Sequence, residues 1–94
     1  MLTKRDMLYA LHQTLSQAAL DLMVRKNADY ACEDDPYRNF KMFGRLGILV
    51  RLSDKLSRLR TFEERGRLDV PDESIRDTVL DIINYAILYM GYEE

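Results

Sequence analysis

Apolar residues recur at steps of three and four along three separate stretches of this chain, and that spacing points to amphipathic helices. In residues 3–26 the pattern runs through Leu8, Leu11, Leu15, Ala18/Ala19 and Leu22, with Gln13 and Gln17 between them. Thr3 and Asp6 stand at capping-box spacing, with Asp in place of the usual Glu. Residues 45–62 carry Leu49, Leu52, Leu56 and Leu59 on one side and Arg51, Asp54, Lys55 and Arg58 on another. Gly66 supplies a C-terminal stop, and Pro71 closes the connection. Residues 72–90 place Ile75, Val79, Ile82/Ile83, Ala86 and Met90 on a third core face. Asp72 is the expected cap of this helix, Glu73 sits favourably in its first turn, and Gly91 ends it. The fold class expected is all-α, with three main helices.

Between the first two helices the period is lost. Asn27, Asp29, Asp34, Asp35, Pro36 and Asn39 are turn formers. The same stretch, 27–43, holds Tyr30, Tyr37, Phe40 and Phe43. Four aromatics predict an ordered loop with a short helical turn, packed on the helices or around a ligand. Ninety-four residues make one domain, 1–94, with a small core that self-association would help. Leu20, Met23 and Val24 extend the apolar surface beyond one narrow face, so a homo-oligomer is expected. No apolar run approaches the ~20 residues of a membrane span, and polar residues interrupt any signal-like segment at the N-terminus. The single Cys32 excludes an internal disulfide and a cysteine-built zinc site, so a cytoplasmic setting is the simplest expectation.

The net charge of −2 hides a strong asymmetry. Residues 38–67 carry nine Lys/Arg against three acids, and residues 68–94 carry seven acids against Arg76. A near-neutral total argues against nonspecific coating of nucleic acid. Glu73, Asp77 and Asp81 fall four apart on one stripe of the third helix, where like charges cost roughly 0.2–0.5 kcal/mol per pair. Arg or Lys from the second helix can offset that repulsion, and so can a divalent cation such as Mg²⁺. Asn84 adds an amide to the same stripe. Arg51, Lys55 and Arg58 are suited to phosphate oxygens. Asp54 among them reads first, from its spacing, as an i,i+4 ion-pair partner of Arg58, and second as a ligand. Solvated faces exchanging weak ion pairs explain the same charges without any ligand. His12 and Cys32 lie in no recognisable ligand or nucleophile motif, and P-loop, GxGxxG, HExxH and CxxC patterns are absent.

Four pieces of the sequence, in this order, resemble the nucleotide modification associated domain 1 family. They are K-N-x-D-Y at 26–30, D-D-P-x-x-N-F at 34–40, R-x-S-D-K-x-x-R-L at 51–59 and D-T-x-x-D-x-x-N-Y at 77–85. The resemblance covers roughly residues 18–91 and implies a small all-α protein of a type common in bacteriophages. That family in turn resembles the MazG-type nucleotide pyrophosphohydrolases. This implies cleavage of a nucleoside triphosphate to a monophosphate and pyrophosphate, with Mg²⁺ held by acids on facing helices. Carried onto this chain, Asp81 matches the last Asp of that acid pattern, and Asp77 stands near the position before it. Asp54 is the acid of the middle helix that matches part of the first pattern, with Arg51 where that pattern has Glu.

Two classes of function follow. As an enzyme, the protein would hold Mg²⁺, or Mn²⁺, through Asp77 and Asp81, with Asp54 as a third ligand or water-orienting base. Its substrate-binding set would be Lys26, Tyr30, Asn39, Phe40, Arg51, Lys55, Arg58 and Asn84. As a binding module, it would hold a nucleotide or cyclic dinucleotide without cleaving it. A helical adaptor for a protein partner is a third, blander reading.

Overall fold

The chain begins with a reciprocal cap. Thr3 N–H donates to Asp6 Oδ2 and Asp6 N–H to Thr3 Oγ1, each at 3.0 Å. From there α1 runs over Lys4–Tyr30. The computed structural model describes residues 1–30, 35–67 and 74–93, without the side chains of 28–30. α1 is longer than the sequence pattern suggests, because Asn27 and Asp29 do not break it. A 3-10 turn follows at Arg38–Phe40, then α2 over Arg45–Arg65 and α3 over Ile75–Gly91. The described residues contain no strand, so the all-α expectation holds.

Two glycines punctuate α2. Gly44, at φ 64° and ψ −153°, precedes its first turn in a backbone region open almost solely to glycine. Gly66, at φ 73°, ends the helix left-handed and donates its N–H to Phe62 O at 2.7 Å. α3 starts three residues later than its sequence suggests. Ser74 is the cap, with its Oγ accepting from Asp77 N–H at 3.0 Å. Asp72, the expected cap, and Glu73 lie outside the described residues, as do Cys32 and Pro71.

α3 is the shared partner of the other two helices. Both α1 and α2 pack on it, and among the described residues the backbones of α1 and α2 do not come close to one another. Asn84 Nδ2 donates to Ala19 O at 3.0 Å and pins α3 to α1. Two of the loop aromatics, Tyr37 and Phe40, pack as expected, while Phe43 is 70% exposed. Tyr37 meets Tyr92 edge-on with ring centres 5.4 Å apart, and Phe40 meets Tyr85 edge-on at 6.3 Å. Arg45 closes the far end, donating to Tyr92 O at 3.0 Å with its guanidinium 5.2 Å from the centre of the Tyr89 ring.

The buried core is small. Ala19, Ile48, Thr78 and Leu80 are the described residues that are fully buried. The radius of gyration is 15.2 Å, against about 12 Å for a compact chain of this length. The N-terminal half of α1 accounts for much of that extension, since residues 1–14 are all exposed. No described helix is long and apolar enough to cross a membrane.

Candidate functional site

α1 and α2 stand apart on α3 and leave a hollow between them. It has a volume of about 670 Å³, within the usual range for a small-molecule pocket. The 3-10 turn and the start of α2 supply its apolar side through Phe40, Phe43, Leu46, Gly47 and Val50. Asn39, Lys26, Arg51 and Tyr85 supply the polar groups. No carboxylate lines it among the described residues. The first three apolar positions are contributed by a segment whose path Gly44 makes possible. Gly47 matters differently: a Cβ there would lie 3.1 Å from Phe43 Cβ, so the missing side chain lets the Phe43 backbone turn lie close against α2.

The two pocket cations are held by different means. Arg51 is hydrogen-bonded to Tyr85, which holds its guanidinium above the usual arginine pKa. Burial opposes that shift, and the charges of Asp54 and Asp81 support it. Lys26, at the C-terminal end of α1, donates to Asp81 Oδ1 at 3.2 Å. Lys55, from α2, donates to the other oxygen of Asp81 at 2.9 Å. Asp81 and Lys55 are mostly buried, with side chains 12% and 14% exposed, while Lys26 is 53% exposed. Burial alone would raise the Asp81 pKa. The Lys55 hydrogen bond and the charges of Lys26 and Lys55 outweigh it and hold the carboxyl below its ordinary value.

This three-helix ion cluster resolves part of the charge puzzle. The offset to acid repulsion on α3 comes from Lys55 of α2, as one sequence reading allowed, and also from Lys26 of α1. Asp77 is exposed in the first turn of α3, and Asp54 is exposed on α2. Among the described residues, no three His, Cys, Asp or Glu side chains come together as a cation site. Both Asp81 oxygens are engaged by lysines, so a cation at this carboxylate would have to displace Lys26 or Lys55.

The substrate-binding residues read from the sequence divide in the same way. Lys26, Asn39, Phe40 and Arg51 meet at the pocket. Lys55 stands behind it, through Asp81. Asn84 faces α1 and bonds its backbone, so it joins helices and does not line the pocket. Arg58 is half-buried on α2 and is not part of the lining. The Tyr30 side chain lies outside the described residues. Sequence reasoning missed Tyr85, Leu46, Gly47 and Val50 as site residues, and placed Phe43 only in the aromatic loop. A usable signal existed: Tyr85 is four residues beyond Asp81, and Gly47 and Arg51 are also four apart, so each pair shares a helical face.

The sequence profile of nucleotide modification associated domain 1 matches residues 26–90. The chain belongs to that family. The nucleotide modification associated domain begins at Lys26 and so takes in every described residue of the pocket. It leaves most of α1 outside the match. No curated protein and no solved structure matches the chain.

Proposed function

We propose that the pocket binds a nucleotide. The observation that carries this reading is the composition of the hollow: aromatic and aliphatic walls on one side, and Arg51 and Lys26 on the other, with no carboxylate among the described lining residues. A base is flat and apolar on its faces, and it suits the side formed by Phe40, Phe43 and Tyr85. A phosphate suits the guanidinium of Arg51, which can offer two parallel donors, and the ammonium of Lys26. Asn39 is placed to hydrogen-bond a base edge or sugar. The family description, which associates the domain with nucleotide modification, supports a nucleotide as the ligand class.

Hydrolysis by the pyrophosphohydrolase scheme calls for a metal, and retention of an intact nucleotide does not. The resemblance to pyrophosphohydrolases implies Mg²⁺ on Asp77 and Asp81, with Asp54 beside them. In the described geometry Asp81 is paired with Lys26 and Lys55. The non-catalytic alternative, retention of an intact nucleotide, is the reading that the lysine-bound Asp81 favours.

Calorimetry with canonical and modified deoxynucleotides tests the proposal. Binding is expected without added metal, and replacing Arg51 by Ala should weaken it by roughly 1.5–3 kcal/mol, the range for a charge-assisted hydrogen bond. Absence of binding across the panel would falsify it. The same panel with Mg²⁺ or Mn²⁺ should leave the ligand intact; released pyrophosphate would establish the hydrolytic reading instead.

A further inference from the structure

The protein exposes 7669 Å² of surface. A compact monomer of 11.1 kDa exposes about 5,700 Å². The excess is roughly 2,000 Å², more than twice the ~800 Å² that each partner hides in a standard-sized interface and close to what an obligate dimer buries per chain. The apolar part of this excess is organised. On α1, the face that packs on α3 through Ala19 and Leu22 continues toward the N-terminus as Leu8 and Leu11, which are 62% and 51% exposed. On α2, Leu46, Leu49 and Leu56 are exposed along one side, at steps of three and seven. Spacings of three, four and seven are those of a helix-to-helix seam.

Among the described residues, neither seam is covered within its own chain. α1 and α2 each pack on α3, and among the described residues their backbones do not come close to one another. Two open, heptad-spaced seams on one molecule can satisfy each other only between molecules. A two-fold dimer does this reciprocally, because each contact of one copy on the other is made twice. We infer that the N-terminal half of α1 is an arm that docks on the Leu46–Leu49–Leu56 side of α2 in a second copy of this chain. The α2 seam meets the pocket at Leu46, so the partner's arm runs along the pocket rim. The arm also lies outside the matched family domain, which starts at residue 26. The proposal rests on surface area and helix spacing and is independent of any nucleotide.

Size exclusion with light scattering on the full chain at micromolar concentration reads the mass directly. The expected mass is twice that of the chain, and it should fall to the single-chain value in a Leu8→Glu/Leu11→Glu variant and, separately, in Leu49→Glu. Circular dichroism should show the helices retained in the α1 variant, whose altered residues are exposed. A single-chain mass for the unaltered protein overturns the proposal and leaves the seams to a different protein. A dimer that persists in the α1 variant overturns the arm. Cross-linking supplies a readout that does not depend on those variants folding. In a Cys32→Ser background, mixed Leu11→Cys and Leu49→Cys proteins should oxidise to a disulfide joining one of each. Formation of no more mixed than like-with-like product overturns the pairing of α1 with α2.

Discussion

Asp81 is the residue on which all three helices converge. Its two oxygens take Lys26 of α1 and Lys55 of α2 while it stands on α3. Asp81→Asn keeps the shape but leaves two ammonium groups, one of them mostly buried, facing a neutral amide. That change should cost about 1–3 kcal/mol, measured by urea denaturation, since hydrogen bonds to charged groups contribute on that scale and an unpaired buried charge adds to the loss. The pH dependence has a definite sign. The folded carboxyl titrates below its unfolded value near 3.8, so the stabilisation is complete above about pH 4. It is lost as pH falls through the lowered value, because the unfolded chain then gains a proton that the folded one resists. The stability gap between the unaltered protein and Asp81→Asn should therefore be constant from pH 7 to 5 and close below pH 4. A gap that does not narrow as pH falls below 4 would contradict the assignment. This cluster was half legible in the sequence. Acids four apart on one helix and a basic neighbouring helix predict an ion pair, but nothing in the spacing of Lys26, fifty-five residues away, marks it as the second partner.

At the scale of the element, backbone demands decide where helices start. Gly44 occupies a conformation that a Cβ makes costly, and the segment it turns carries Phe40 and Phe43 into the pocket. Gly44→Ala should destabilise the protein by about 1–3 kcal/mol. Ser74→Ala should cost about 1 kcal/mol through the lost α3 cap. Chemical denaturation of both variants checks the order. The three helices themselves were readable from periodicity, and so were the Thr3–Asp6 cap and the Gly66 stop. The ends that were not readable have local causes. α3 begins at Ile75 because Ser74 supplies the capping oxygen. α1 continues past residue 26 because Asn27 and Asp29 are weak helix formers and not breakers, and the Lys26–Asp81 bond ties that turn to α3. The pocket was legible in its cations and in Asn39 and Phe40. Its floor was not, since Gly47 and Val50 become lining only once α1 and α2 are spread apart on α3.

The whole molecule inherits its shape from that arrangement of helices. A chain 47 Å long and 24 Å thick has spent little of its apolar surface on its own core, and the acidic and basic segments meet chiefly through α3. The centrality of α3 also sets the order of events during synthesis. α1 and α2 emerge first, yet the contacts that hold them are with residues 75–91, which are made later. Ala19 waits for Asn84, and Lys26 waits for Asp81. Both are long-range closures, slow to form relative to local helix contacts. Until they form, the apolar stripes of two nascent helices are open to chaperones and to neighbouring chains. A fragment ending at residue 73 should accordingly show no cooperative thermal transition by circular dichroism, although it contains more than half of the chain. The last helix is thus the step that commits the polypeptide to its fold, and a ribosome paused before it holds a chain with nowhere to go.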